Sequence, residues 1–328
     1  MTWLNILFII IGVALVLWGA DRLTEGASSL ARGMHVPEIV IGLTIVAAGT
    51  SAPELFVSLV SALKGTADLA VGNVIGSNIF NTTLIVGCSA LVAPMVVQKS
   101  TVRKDIPFAV VASLLLFVLC FDDMDSPHLW GNEITRSDGV ILLLGFLGFM
   151  IYTFHTAKKD GLMPTEEELE DNAELPKDYS RLGRNIFWIV LGLGCLIYGS
   201  NLFVDAASYV AYRFGVRQSV VGLTIVAGGT SLPELATSVV AARKGQSALA
   251  IGNAIGSNVF NILLILGLTA VICPMRIMGI NIIDFAMMIV SMALLWLFAY
   301  TKYTVSRREG FLLIGGFVAY MGWLFYLL

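Results

Sequence analysis

Residues 42–87 occur twice in this chain, the second time at 222–267, with 30 of the 46 aligned positions identical and no gap. The first copy reads GLTIVAAGTSAPELFVSLVSALKGTADLAVGNVIGSNIFNTTLIVG, the second GLTIVAGGTSLPELATSVVAARKGQSALAIGNAIGSNVFNILLILG. Each copy carries one glutamate deep in apolar sequence, Glu54 or Glu234. Whatever fold forms must place two matched carboxylates in equivalent apolar surroundings, and a positively charged ligand is the simplest reason to keep both.

Those surroundings are a membrane. Hydrophobic residues make up 57% of the chain and charged residues 13%, with a mean hydropathy of +0.85; soluble domains run nearer a quarter charged. A helix needs about 20 apolar residues to cross the hydrocarbon, and only helices or closed barrels can span it. The apolar runs lack the strict alternation of barrel strands. The expected fold is therefore an all-α polytopic membrane protein with ten transmembrane helices, at 4–30, 36–63, 69–92, 106–121, 139–156, 185–212, 217–242, 247–272, 282–300 and 310–327.

Ten spans in two equal sets imply two five-helix repeats, 1–156 and 185–328, joined by an acidic linker at 157–184 that is read as a solvated cytoplasmic tether. Residues 19–46 align with 199–226 at the same offset of 180. Five is odd, so the second repeat enters the bilayer from the opposite side, which is the plan of many secondary transporters with a site at the midplane between repeats. Placing both termini outside puts 14 Lys and Arg residues on the cytoplasmic side and 5 opposite, as the positive-inside rule requires. The N-terminus reads as a retained first span, because no basic n-region or small-residue cleavage site accompanies it. The expected location is the cell membrane.

The polar residues of the repeat carry the chemistry. Thr44, Thr50, Ser51, Glu54, Ser58, Asn73, Ser77, Asn78 and Asn81 all recur in kind at +180, as Thr224, Thr230, Ser231, Glu234, Ser238, Asn253, Ser257, Asn258 and Asn261. Pro53 and Pro233 stand mid-span, where proline removes a donor and breaks the helix; the break is expected to free carbonyls near Ala47 and Ala48, and near Ala227 and Gly228. Asn73, Ser77 and Asn81 recur every fourth residue and so share a helical face, beside a Gly72/Gly76 pair that permits close helix approach. Four helices thus turn two carboxylates, hydroxyls and amides towards one centre.

A carboxylate at mid-bilayer costs ~2.5–3.5 kcal/mol on insertion scales, and two would repel. One divalent cation neutralises both. Ca²⁺ accepts 6–8 oxygens in flexible geometry, whereas Mg²⁺ keeps its waters. No His or Cys accompanies the motifs, which argues against zinc or copper. His35, His128 and His155 read as solvated, and Cys88, Cys120, Cys195 and Cys273, none in a CxxC pair, as small apolar packers. No resident cofactor and no nucleic-acid partner is expected.

The paired GTSxPE and GNxxGSNxFN strings, together with the internal duplication, resemble the calcium:cation antiporter superfamily over nearly the whole chain, and most closely its prokaryotic sodium/calcium exchanger-like branch. The resemblance implies two inverted five-helix repeats, alternating access by sliding of spans one and six, and ion ligation by Glu54, Glu234, Thr50, Ser51, Thr230, Ser231, Ser77, Ser257, Asn81 and Asn261 with the backbone oxygens of Ala47 and Ala227. Some relatives carry Asp in one repeat where this chain has Asn81 or Asn261; here both are Asn. Potassium-dependent relatives tend to carry Asp at one Glu position, which disfavours potassium.

The leading expectation is a Ca²⁺/Na⁺ antiporter acting as a monomer in the lipid bilayer. The same scaffold driven by H⁺ is the alternative. A passive cation channel fits less well, since pores usually form on an axis normal to the membrane. An enzyme would need a nucleophile–base pair or an aspartate dyad, and neither HExxH nor GxSxG appears.

Overall fold

Glycine and proline set where the apolar runs start, bend and meet. The computed structural model describes residues 2–33, 36–121, 132–159, 179–214, 227–277 and 280–327. Its helices, in chain order, are α1 (Thr2–Gly33), α2 (Glu38–Thr50), α3 (Ala52–Leu63), α4 (Ala67–Val92), α5 (Ile106–Cys120), α6 (Arg136–Lys159), α7 (Tyr179–Arg213), α8 (Ala227–Thr230), α9 (Leu232–Arg243), α10 (Ser247–Ile272), α11 (Ile282–Lys302) and α12 (Arg307–Leu327). The protein is an all-helical polytopic membrane fold. Seven of these helices are long and apolar enough to cross a bilayer, and α2 with α3, bent by 46° across Ser51, makes an eighth.

The sequence predicts ten. Of the remaining two spans, α5 has only 15 residues and is extended backwards by a π-helical turn at Thr101–Asp105. The other is the α8–α9 run, and the first part of its predicted range lies outside the described residues, as do Thr224, His35, His128 and most of the 157–184 linker. His155 is exposed near the end of α6. Of the cysteines, Cys120 is buried and the other three are half-buried; all four are free thiols.

The most buried long helices are α4 and α10, with 72% and 78% of their central windows inside the protein, against 22% for α1. These two carry the GNxxGSNxFN strings and form the middle of the molecule. The long helices α1 and α7 pack on each other antiparallel, at the side of this core. A Cβ built on Gly12 would lie 2.8 Å from the Gly199 carbonyl oxygen, and one on Gly19 would lie 2.7 Å from that of Gly192. Gly12 and Gly19 correspond to Gly192 and Gly199 in the repeat, so these two contacts exchange with each other.

Other contacts exchange in the same way. Gly87 of α4 meets Gly310 of α12, and its counterpart Gly267 of α10 meets Gly139 of α6. Two short antiparallel ladders tie the connections together and are the only strand pairings among the described residues. β1 (Met95–Val96) pairs with β4 (Thr304–Val305), and β3 (Met275–Ile277) pairs with β2 (Asn132–Ile134). Met95 and Met275 are again 180 apart. α6 and α12 open alike: Thr135 N–H donates to Asp138 at 2.8 Å and Ser306 N–H to Glu309 at 2.7 Å, each filling an orphan position at a helix start.

α3 and α9 end on matched turns. Gly65 (φ 75°) and Gly245 (φ 76°) adopt the left-handed conformation that glycine enters at no steric cost. Thr66 N–H reaches back to the Ser61 carbonyl and Gln246 N–H to that of Ala241, both at 2.9 Å, closing the last turn as a Schellman motif. The following helices, α4 and α10, then return alongside α3 and α9.

Candidate cation site

The site is built where α2 breaks into α3 and α8 into α9. Ser51 and Ser231 sit at the breaks with matching backbone angles, φ −82° and ψ 6° against φ −90° and ψ 8°. Pro53 and Pro233 occupy the first turn beyond, where a missing N–H costs nothing. That turn also holds Glu54 and Glu234, so each carboxylate lies at a helix N-terminus, where the peptide dipoles favour negative charge. Both glutamates are 1% exposed.

Each carboxylate is held from the opposite half of the chain. Ser231 donates to Glu54 Oε1 at 3.1 Å, and Ser51 to Glu234 Oε1 at 3.0 Å. Ser77 Oγ lies 3.3 Å from the Ser231 hydroxyl. Behind each glutamate an asparagine braces the helix pair. Asn73 donates to Ser58 Oγ at 3.0 Å and the Glu54 carbonyl at 3.4 Å; Asn253 donates to Ser238 Oγ at 2.9 Å and the Glu234 carbonyl at 3.3 Å. Ser58 and Ser238 in turn donate to the Ala70 and Ala250 carbonyls.

On α4 and α10, Asn81 opens a π-helical turn at Asn81–Ile85, and Asn261 lies in a longer one at Phe260–Leu266. Such π turns recur at functional sites because they re-aim side chains within a helix. Asn81 Nδ2 donates to Asn258 Oδ1, and Asn261 Nδ2 to Asn78 Oδ1, both at 3.1 Å.

Five buried oxygens of the expected ligand set are left over. Glu54 Oε2, Glu234 Oε2, Asn81 Oδ1, Asn261 Oδ1 and Ser257 Oγ have no hydrogen-bond partner. A buried unpaired acceptor costs ~1–3 kcal/mol, and more when charged, so this set suits a cation. The donor set is all oxygen, with two formal charges. Among the described residues no group of three or more His, Cys, Asp and Glu gathers anywhere. A hard, weakly directional ion suits this chemistry better than a soft metal.

The structure links Ser77, Ser231 and Glu54, and Ser51 with Glu234, through these bonds; Asn81 and Asn261 belong to a second network, with Asn258 and Asn78. Thr50 is fully buried, with Oγ1 3.0 Å from the Val46 carbonyl and 3.1 Å from Asn253 Oδ1. Ser257 is also fully buried, and Thr230 is half-buried. The Ala47 carbonyl differs from the expectation of a freed group. It accepts the Ser51 N–H at 2.9 Å and has Thr50 Oγ1 at 3.4 Å, because the chain keeps one more helical bond before it breaks. Ala227 begins α8.

Sequence periodicity missed the roles of Asn78 and Asn258. Both stand in the repeated motif, but off the i, i+4, i+8 face that pointed to Asn73, Ser77 and Asn81. Their partners lie on the other repeat, so no spacing within one helix reveals them.

The two sides of the site differ. A Cβ on Gly256 would come within 2.8 Å of both Leu43 Cα and Ala47 Cβ, and one on Gly252 within 2.8 Å of the Ile39 carbonyl oxygen, so α10 is sealed against α2. The repeat-related positions on α4 are more exposed: Asn73 is half-buried where Asn253 is fully buried, and Gly76 is exposed where Gly256 is buried.

Comparison with known proteins gives the family. The family described as sodium/calcium exchanger protein matches residues 4–155 and 184–326. The chain is 38% identical to the putative antiporter CaxA of Alkalimonas amylolytica, covering 97% of this chain and 98% of that one. It is 31% identical to the sodium/calcium exchanger MaX1 of Methanosarcina acetivorans over the full length of both. Among solved structures, the sodium-calcium exchanger NCX_Mj soaked with 10 mM Na⁺ superposes with a TM-score of 0.84 at 28% identity, covering 98% of this chain and 99% of that one.

Proposed function

The chain belongs to the sodium/calcium exchanger protein family of membrane antiporters, and on that premise we propose that it exchanges Ca²⁺ for Na⁺ by alternating access at the site between its repeats. The observation that carries this reading is the facing pair Glu54 and Glu234, each buried, each steadied by a serine of the other half, and each with one unpartnered oxygen. Two charges match one Ca²⁺. The proposed ligands are those carboxylates with Asn81, Asn261, Thr50, Thr230, Ser51, Ser231, Ser77, Ser257 and the backbone oxygens of Ala47 and Ala227. Ca²⁺ and Na⁺ are cargo, and no resident cofactor is needed.

The proposed architecture is ten spans in two inverted five-helix repeats, 1–156 and 185–328, around a cytoplasmic linker at 157–184. The exchanging contacts support it: Gly12–Gly199 with Gly19–Gly192, Gly87–Gly310 with Gly267–Gly139, and the two ladders map onto each other when the halves are swapped. The ladders also agree with the topology. β1 and β4 belong to connections that the ten-span reading puts on the cytoplasmic side, and β2 and β3 to connections it puts outside, so each ladder joins loops on one side. Both termini then lie outside a cell membrane, and the monomer contains the whole site.

Alternating access follows from the same symmetry. Swapping the conformations of the two halves would open the α2–α10 side and close the α4 side, moving access across the bilayer without moving the ion. In the ten-span topology the sealed side is cytoplasmic, since α2 and α10 both start there.

The test is Ca²⁺ uptake by the purified protein in sealed proteoliposomes with Na⁺, K⁺ or H⁺ gradients imposed separately. Accumulation against the Ca²⁺ gradient driven by Na⁺ alone is the expected result. Accumulation driven by H⁺ alone would transfer the reading to a Ca²⁺/H⁺ antiporter, and equilibration without accumulation would make the protein a channel.

A further inference from the structure

An asparagine can meet a cation with either end of its amide, and the two ends have opposite effects. The oxygen ligates; the NH₂ group repels. Asn81 and Asn261 stand in the cation site with their oxygens unpartnered and their nitrogens turned away. Nothing in those two side chains fixes that choice, so something around them must.

The hydrogen bonds identify it. Thr82 donates its hydroxyl proton to the Asn78 carbonyl at 2.9 Å, so its oxygen is left as an acceptor. Asn258 Nδ2 donates to that oxygen at 2.8 Å, which turns Asn258 Oδ1 towards Asn81. Asn78 Nδ2 lies 3.4 Å from the Asn258 carbonyl, which can only accept, with Met288 Sδ at 3.8 Å. That turns Asn78 Oδ1 towards Asn261. Both chains of direction begin at a backbone carbonyl, whose polarity cannot be reversed. Asn78, Asn81, Asn258 and Thr82 are each 1% exposed and Asn261 is fully buried, so no water competes.

We propose that Asn78 and Asn258 are positioning residues that hold Asn261 and Asn81 oxygen-first towards the bound cation. The clamp crosses the repeats: the residue on α4 orients the ligand on α10, and the reverse. It makes two neutral side chains act as fixed carbonyl ligands without adding charge, and it keeps α4 and α10 in one register while other elements move. The proposal rests on the cation-site reading above.

The test is a double-substitution cycle read by calorimetric Ca²⁺ titration of the full-length protein in detergent. A carboxylate presents oxygen whichever way it turns, so Asn261→Asp needs no clamp. Asn78→Ala alone is expected to weaken Ca²⁺ binding about tenfold, the scale of one misdirected buried polar group. In the Asn261→Asp background the same change should cost less than about threefold. Equal losses in both backgrounds would mean that Asn78 only packs, and the proposal fails. Should Asn78→Ala not yield folded protein, Asn258→Ala with Asn81→Asp runs the same cycle from the other half. Glu54→Gln separates the two ideas: a variant that still binds Ca²⁺ normally overturns the cation site itself, whereas an additive cycle with Glu54→Gln inactive overturns only the clamp.

Discussion

Ser51 of the first repeat donates its hydroxyl to Glu234 of the second at 3.0 Å, and the repeat-related Ser231 returns the same bond to Glu54 at 3.1 Å. Each carboxylate is therefore held in part by the other half. A hydrogen bond to a charged group contributes ~1.5–3 kcal/mol, one to two decades in affinity. Ser51→Ala and Ser231→Ala should each weaken Ca²⁺ binding by about 10- to 100-fold while leaving a folded protein. Glu54→Gln and Glu234→Gln should each abolish transport. Proteoliposome uptake and calorimetry check both; wild-type uptake by either Gln variant would remove the carboxylates from the site.

The sealed side depends on two glycines meeting. A Cβ on Gly252 would lie 3.1 Å from Gly42 Cα as well as 2.8 Å from the Ile39 carbonyl oxygen, and backbone cannot yield as a flexible side chain can. Gly252→Val should prise α10 from α2, lower the thermal midpoint and cut Ca²⁺ exchange at least about tenfold. Gly148, exposed on α6 with nothing within 4 Å of a built Cβ, is the control. Gly148→Ala should leave both measurements unchanged or raise stability slightly through helix propensity. Equal behaviour of the two variants would show that the α2–α10 contact is not closely packed.

How much of this was legible in the sequence follows from which interactions are local. Glu54 and Glu234 stood out because a charge in an apolar run needs a reason, and the duplication supplied it twice. The helix breaks followed from Pro53 and Pro233. The contacts of α6 and α12 also match, but Gly139 and Gly310 are 171 positions apart, not 180. Connections of different length shift the register, and the match emerged only from shared contacts with Gly267 and Gly87. The amide clamp was illegible for a different reason. It depends on how α4 and α10 cross, and helical periodicity carries no information about that.

Topology is open to a direct test. Lys64 and Lys244 end repeat-related helices, α3 and α9, next to the matched Gly65 and Gly245. With Cys88, Cys120, Cys195 and Cys273 replaced, Lys64→Cys should label with an impermeant thiol reagent from outside intact cells, and Lys244→Cys only after the membrane is opened. Labelling of both from one side would refute the inversion.

One ion pair breaks the repeat symmetry. Lys244 Nζ lies 2.7 Å from Asp21 Oδ1 and donates to Thr24 Oγ1 at 3.1 Å, tying α1 to the end of α9. The equivalent partners of Lys64 are Asn201 and Val204, which offer no charge and no hydroxyl. The bond therefore favours the state described here over its symmetry-swapped counterpart. Both groups are about one-third exposed, and such pairs contribute ~0–1 kcal/mol, so the bias is at most about fivefold. Asp21→Asn should raise labelling of site cysteines from the cytoplasmic side by up to that factor with the thermal midpoint nearly unchanged. Asn201→Asp should act in the same direction, by giving Lys64 a matching partner. No change in accessibility with either variant would mean that the pair is solvated in both states.

The proposed counter-ion can be tested through charge. With Asn at both 81 and 261, the site holds two formal charges, and one Ca²⁺ balances them. Several Na⁺ ions could share it only in separated subsites, because like charges repel strongly in a cavity of low dielectric. If Na⁺ is the counter-ion of the proposed site, whose Glu54 and Glu234 are each bonded across the halves, Na⁺ and Ca²⁺ are expected to compete for the same carboxylates. Raising Na⁺ should weaken the apparent Ca²⁺ affinity without changing the number of Ca²⁺ ions bound at saturation. Asn261→Asp adds a third charge and should shift this sodium dependence, letting more Na⁺ be held at once. Equilibrium titrations across a wide Na⁺ range at fixed pH, repeated across pH at fixed Na⁺, separate the cases. Ca²⁺ affinity indifferent to Na⁺ but falling with acid would assign the exchange to protons instead.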